Sequence, residues 1–166
     1  GTHHAARSQT VSARIEVARS VRARVPSGVL RRLEQRLRRA STRVQPDPSL
    51  EYTIRICDDD EIAALHLRHM GLRGPTDVLS FPAEAPLPDM QVELGDIAIS
   101  WDAVLRQSPG SGRAAWLEEL TQLAIHGLAH LLGHDHATRA EGRAMLRTER
   151  RAARAAGAGA VARPYG

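Results

Sequence analysis

Four of the eight histidines of this chain fall within the eleven residues 126–136. His126 and His130 stand four positions apart in an apolar run, a spacing that places both imidazoles on one face of an α-helix. Gly133 follows, and glycine readily adopts the positive φ that ends a helix. The chain can then turn back and bring His136 toward the other two imidazoles. The spacing predicts three neutral imidazoles converging on a zinc site with an open fourth position.

A zinc ion held in this way indicates hydrolytic chemistry, because water can occupy the fourth position. The alternative is that these are ordinary histidines of a core helix. Three histidines at this spacing, followed by a glycine, fit that alternative poorly. His134 is a rival third ligand, since it continues the four-residue spacing from His126 and His130. It would serve only if the helix continued through Gly133, so His136 is favoured.

The pattern His-Gly-x-x-His-x-x-Gly-x-x-His matches the long motif of the metzincin proteases except at one position. Those proteases have a glutamate general base after the first histidine, where this chain has Gly127. Glycine cannot accept a proton through a side chain, so a metalloprotease is disfavoured.

A closer resemblance is to the YbeY family of bacterial metal-dependent endoribonucleases. The hallmark of that family is the string His-Gly-x-x-His-Leu-x-Gly-x-Asp-His, which residues 126–136 match. Residues 75–82, Pro-Thr-Asp-Val-Leu-Ser-Phe-Pro, and residues 94–100, Leu-Gly-Asp-Ile-Ala-Ile-Ser, resemble the same family. The three blocks occur in one order and cover most of the region from about residue 50 to residue 150.

The resemblance implies a zinc-dependent, single-strand-specific endoribonuclease that acts in 16S ribosomal RNA 3′-end maturation and in ribosome quality control. It implies ribosomal RNA and the small ribosomal subunit as partners, and it places residues 75–82 along the active cleft, where Ser80 could touch substrate. Family members usually carry a Tyr-Arg pair before this segment, but an ungapped count finds His69 and Met70 there. Two arginines nearby, out of register, are the candidates to replace the family arginine: Arg68 and Arg73.

The general base of such a reaction is open, because no glutamate accompanies the three histidines. Asp135, the metal-activated water itself, or no protein base at all are the candidates. Asp135 could equally orient an imidazole, which is the role we favour. A non-enzymatic ribosome-assembly factor with a structural metal is the remaining alternative, and the missing family arginine favours it.

Composition sets the class of protein. The 166 residues fit one domain, and 42% apolar with 25% charged residues is typical of globular proteins. Cys57 is the single cysteine, so an internal disulfide is excluded. The sequence shows neither an apolar run of membrane-span length nor the apolar core of a secretory signal. A cytoplasmic protein without membrane contact is expected.

The charge is unevenly distributed along the chain. All 23 basic residues are arginine, and the net charge is +9 over residues 1–43, −10 over residues 44–136 and +5 over the remainder. A fold that joins the two basic flanks would offer a cationic surface beside the metal-bearing centre, which suits a polyanionic substrate. A first stripe at helical spacing, Arg32, Arg36, Arg39 and Arg43, is explained equally well by RNA contact or by a solvated face. A second stripe on the last helix offers further candidate RNA contacts: Arg139, Arg143 and Arg147.

Apolar periodicity predicts the elements that position these residues. Alternation predicts strands at 10–18, 50–57 and 93–100, and a short strand at 78–81 that its flanking prolines confine to an edge or to its own ends. Helices are predicted from the N-caps Ser27 and Thr138, after the acidic residues 58–61, and over 101–107 and 113–132.

This order predicts an α+β fold, with a mixed sheet of about four strands, packed helices, and a central helix carrying the His-x-x-x-His zinc motif. Residues 10–156 are expected to form a single metal-dependent hydrolase domain. Residues 1–9 are expected to be a disordered terminus and residues 157–166 a tail.

Overall fold

The computed structural model describes residues 13–47 and 49–159. The predicted α+β class with a four-stranded mixed sheet is confirmed, whereas the N-terminal disorder, strand residues 10–12 and most of the proposed tail lie outside the described residues. In chain order the elements are β1 (Ala13–Val17), α1 (Ser27–Val44), β2 (Glu51–Cys57), α2 (Asp59–Met70), β3 (Val78–Pro82), a 3₁₀ turn (Pro88–Met90), β4 (Glu93–Ser100), α3 (Trp101–Gln107), α4 (Arg113–Leu131) and α5 (Arg139–Ala156).

The sheet has the strand order β1-β2-β4-β3. Strand β2 pairs in parallel with both β1 and β4, whereas β3 runs antiparallel to β4. The prolines around β3 predicted an edge strand, and the structure confirms that position. Alternation also predicted the buried face of β2 correctly, since Tyr52, Ile54 and Ile56 are almost fully buried.

Helix α4 lies at the centre of the described structure. It packs against α1, α3, α5, β3 and β4. Spacing of three and four residues in the sequence predicts one buried stripe on this helix, and all of its members are buried: Leu117, Leu120, Ala124, Leu128 and Leu131. Near the end of the helix most residues between these positions are buried as well. Gly127 makes the close approach to the sheet possible, because a Cβ atom there would lie 2.7 Å from Cγ2 of Ile97 in β4.

The two basic flanks of the sequence are joined by direct packing of α1 against α5. Arg151 of α5 also donates a hydrogen bond to the backbone carbonyl of Arg43 in α1, over 3.4 Å. The fold therefore collects the arginine-rich helices on one side of α4, as the charge pattern anticipated.

The capping predicted at the helix N-termini is confirmed for two helices and is wrong for one. Asp58 accepts a hydrogen bond from the Glu61 backbone N–H, and Thr138 caps α5 in the same way. Ser27 was predicted to cap α1, and this was wrong. Pro26 is the N-cap and its carbonyl accepts from the N–H of Val29, because the extended proline with φ −63° and ψ 135° directly precedes the helix.

Among the described residues, no helix has both the length and the apolarity needed to cross a membrane.

Candidate metal centre

Three histidines converge at the C-terminal end of α4. His126 and His130 lie in the last two turns of the helix, and His136 lies in the segment that follows. One ring nitrogen from each residue can be chosen so that all three lie within 4.8 Å of one another. Three imidazoles at this separation form a donor set that suits a transition metal such as zinc.

The turn at Gly133 makes this convergence possible. Gly133 has φ +92°, and its N–H donates to the carbonyl of His130, while the N–H of His134 donates to the carbonyl of Ala129. These two bonds form a Schellman motif, in which glycine ends the helix and reverses the chain. The turn therefore directs His136 back toward the two helical histidines.

His134 is held away from the cluster. Its Nε2 lies 3.0 Å from the Thr148 hydroxyl of α5, and its backbone carbonyl contacts Nδ1 of His130. The helix ends before Gly133, so the condition under which His134 would be the third ligand is not met. The structure brings His136, rather than His134, to the other two rings.

Two of the three imidazoles are fixed through Nδ1. His126 Nδ1 lies 3.0 Å from Oε1 of Glu149, with both side chains buried, and His130 Nδ1 lies 3.0 Å from the His134 carbonyl. A carbonyl only accepts, so Nδ1 of His130 carries the proton and Nε2 presents its lone pair. Burial, followed by the neighbouring His126, lowers the pKa of His130 and favours the neutral ring. The donor set therefore fits a bound metal.

Glu149 was missed by the sequence reasoning. It lies 23 residues from His126, on a helix whose other charges are mostly basic. One signal was present, because Glu149 falls on the buried face of α5 together with Met145, Ala152 and Ala156. A carboxylate on an otherwise apolar helix face indicates a buried polar partner.

A cleft of about 530 Å³ opens beside the three histidines. Ser80, predicted to touch substrate, lines this cleft and donates a hydrogen bond from Oγ to the carbonyl of Gly127, over 3.0 Å. Asp135 also lines it and is exposed; its Oδ1 accepts from the His136 backbone N–H at 2.7 Å and lies 3.9 Å from His136 Nδ1. Both residues are therefore next to the candidate metal position.

The two arginines considered as replacements for the family arginine lie elsewhere. Arg68 and Arg73 are exposed, and neither belongs to the lining of the cleft. The wall formed by the end of α2 and the following loop consists of His66, Met70 and Leu72. The ungapped position of the family arginine thus carries an apolar side chain that faces the cleft.

Comparisons with known proteins agree with this geometry. Residues 18–157 match the family model described as Endoribonuclease YbeY. Proteins named Endoribonuclease YbeY from Rhodopseudomonas palustris (strain BisB5) and Cutibacterium acnes are 39% and 44% identical to this chain over 135 and 114 residues, which is 75% and 65% of this chain. The matches span 66% and 73% of those relatives. A solution structure of a Thermotoga maritima protein covers 87% of this chain and 88% of its own, with a TM-score of 0.54 and 21% identity, and shows the same fold.

Proposed function

Because this chain belongs to the YbeY family of endoribonucleases, we propose that it is a metal-dependent endoribonuclease that hydrolyses RNA phosphodiester bonds. The observation that carries the proposal is the convergence of three imidazoles, two of them oriented through Nδ1, beside an open cleft. His126, His130 and His136 would hold the metal, and zinc is the ion that three neutral imidazoles with an open position suit best. Residues 10–156 would form the single domain that carries this activity.

The chain's own residues have separable parts in this proposal. Zinc, when bound, would supply the Lewis acid that polarises the phosphodiester and activates water. Glu149 would keep the ring of His126 oriented. Asp135, an exposed carboxylate on the cleft, is positioned to accept a proton or to orient His136.

Ser80 would bind the ribose rather than act as a nucleophile. Its hydroxyl proton is used in the bond to the Gly127 carbonyl, so Oγ retains acceptor capacity toward the cleft. A ribose 2′-hydroxyl is a donor that distinguishes RNA from DNA. Arg68 and Arg73 are close in sequence to the lining residues Met70 and Leu72, and would meet RNA at the edge of the cleft.

The substrate we propose is a single-stranded segment at the 3′ end of 16S ribosomal RNA, met on the small ribosomal subunit in the cytoplasm. Such a role includes ribosome quality control. The packed basic helices support binding of a polyanion. The candidate phosphate contacts on these helices are Arg32 and Arg39 of α1, and Arg139, Arg143 and Arg147 of α5. Arg36, which the sequence placed in the same stripe, is instead paired with Glu118 over 2.8 Å and is only 19% exposed.

The test is cleavage of ribosomal RNA by the zinc-loaded protein, compared with a His126→Ala variant purified identically. The matched variant controls for contaminating ribonuclease. Cleavage by the wild type alone is expected. Equal cleavage by both proteins, or cleavage by neither, would contradict the nuclease proposal.

A second measurement tests the ligand assignment itself. His126→Ala removes one of three ligands, so its zinc content after dialysis should fall well below that of the wild type. Full zinc occupancy in the variant would contradict the assignment. If the wild-type protein binds ribosomes but does not cleave RNA, and His126→Ala leaves this binding unchanged, the result favours a ribosome-assembly factor. If the protein cleaves casein and His130→Ala abolishes the cleavage, the result favours a protease.

A further inference from the structure

A second cavity, of about 320 Å³, adjoins the three histidines on the side of α5. It shares His126 and His136 with the larger cleft, and α5 supplies the rest of its lining. Two of the residues from α5 are arginines, Arg139 and Arg143. A strand that occupied both cavities would therefore lie beside both His126 and His136.

The face of α5 that carries these arginines is packed close to His136. A Cβ atom at Gly142 would lie 3.9 Å from Cβ of His136. Arg139 and Arg143 are four positions apart, so their side chains leave the same face of the helix. Both are exposed, and in the described part of the chain neither guanidinium has a hydrogen bond or an ion pair. Two uncommitted cations thus line a cavity beside two candidate metal ligands.

The larger cleft is lined by charges of the opposite sign. Its lining includes the carboxylates of Asp77 and Asp135 and, among the described residues, contains no arginine. An RNA strand brings one negative charge with every phosphate, and carboxylates in the lining oppose its approach. Among the described residues, the arginines that line a cavity together with the histidines are therefore those of α5.

We propose that Arg139 and Arg143 bind the RNA phosphate adjacent to the scissile one, so that the substrate strand runs from the larger cleft across His126 and His136 into the α5 cavity. This inference rests on the proposed nuclease function. Arginine suits the role, because its planar guanidinium donates two parallel hydrogen bonds to phosphate oxygens. The arginine stripe continues along α5 beyond the cavity, but only these two members line it.

The test compares two double variants of the zinc-loaded protein. Arg139→Gln/Arg143→Gln removes the cavity pair, and Arg150→Gln/Arg154→Gln removes two exposed arginines with the same spacing further along α5. Both variants lose two positive charges, so the nonspecific electrostatic attraction between protein and RNA decreases by the same amount in each. KM for cleavage of a single-stranded RNA and Kd for its binding, by fluorescence anisotropy, are measured for each.

Substitution of the cavity pair should raise KM and Kd by about tenfold or more, because it removes both arginines and the loss of one charge-assisted hydrogen bond already costs about tenfold, while substitution of the control pair changes them less than about twofold. The slope of log affinity against log salt should also fall by about 0.7 for each phosphate that the variant no longer neutralises. Equal effects in both pairs, or no effect in the cavity pair, would overturn the inference.

The two readouts separate this inference from the nuclease proposal. If the wild type binds RNA without cleaving it, the nuclease proposal fails, and the anisotropy comparison alone decides the role of the arginines. If the wild type cleaves RNA and the cavity pair behaves like the control pair, the nuclease proposal stands and the role of the two arginines is rejected. A wild type that does not bind RNA overturns both.

Discussion

Glu149 determines how the most buried of the three imidazoles is presented. Its carboxylate lies 3.0 Å from His126 Nδ1, and both residues are at most 4% exposed. In such a position the carboxylate fixes the ring orientation and makes Nε2 a better donor to a metal. The residue is thus part of the site although it is not one of the candidate ligands.

Replacing Glu149 with alanine should lower zinc affinity by about 10- to 100-fold, because His126 loses its partner. Glu149→Gln should lower zinc affinity by a smaller factor, since its amide oxygen can still accept a hydrogen bond from Nδ1 of His126. Zinc affinity is measured by competition with a chromogenic chelator. Glu141→Ala, on the exposed face of the same helix, is the control, and an affinity in Glu149→Ala equal to that of the control would refute the positioning role.

Gly127 explains why the residue that follows the first histidine cannot be the glutamate of a protease. A side chain there would start toward Ile97 of β4, where its Cβ would lie 2.7 Å from Cγ2 of that residue. Isoleucine is branched at Cβ and adjusts poorly. The glycine therefore serves the packing of α4 on the sheet.

Gly127→Ala should lower the free energy of unfolding by about 1–3 kcal/mol, the usual cost of overpacking a core. Gly28→Ala in α1 is the matched control, because a Cβ at that position would meet no atom within 4 Å apart from the adjacent residues and backbone of its own helix. It should leave stability unchanged or raise it by up to about 1 kcal/mol. Urea denaturation measures both, and a Gly127→Ala variant as stable as the control would disprove the packing role.

At the scale of elements, Asp59 joins the start of α2 to the end of β4 and to α3. Its carboxylate accepts two hydrogen bonds from Arg106, at 2.7 and 3.2 Å, and one from the Ser100 hydroxyl at 2.7 Å. Hydrogen bonding to Arg106 lowers the pKa of Asp59 in the folded protein, and the Ser100 bond adds to this effect against the opposing effect of burial. The start of α2, the end of β4 and α3 are therefore connected through this carboxylate.

A lowered folded-state pKa means that this stabilisation is complete above the unfolded-state pKa of about 3.9 and is lost as the pH falls through the folded-state pKa. Asp59→Asn should therefore cost about 1 kcal/mol at pH 7, a modest value because Arg106 is largely exposed. The difference from wild type should shrink as the pH falls below about 4. Urea unfolding at several pH values tests this, with Asp60→Asn of the same turn as control; a cost independent of pH would contradict it.

Sequence periodicity was sufficient for the elements but not for the contacts between them. Alternation in residues 50–57 identifies the buried face of β2, and spacing identifies α4 and its Gly133 terminus, because these features depend on local geometry. The strand order and the approach of Glu149 to His126 depend on packing between segments that are distant in the chain. The Ser27 prediction failed at a purely local level, where the preceding proline starts the helix one residue earlier.

At the scale of the whole molecule, the candidate metal site links the central helix to the segment that leads into α5. A metal that binds only the folded protein stabilises it by mass action, by about 2.7 kcal/mol at one hundred times Kd. Thermal melting of the metal-stripped protein should therefore shift upward with added zinc. His126→Ala should show a much smaller shift, and identical shifts in both proteins would place the zinc effect elsewhere.

The dependence of the site on α5 sets an order of assembly. Synthesis proceeds from the amino end, so all three histidines are added to the chain before Glu149 and most of the α5 cavity wall. Until α5 packs onto α1 and α4, His126 lacks its buried carboxylate and the arginines of α5 do not face the histidines. The candidate metal site is therefore completed by the last helix of the described structure, and a chain that ends before α5 has the three histidines without the groups that orient and flank them.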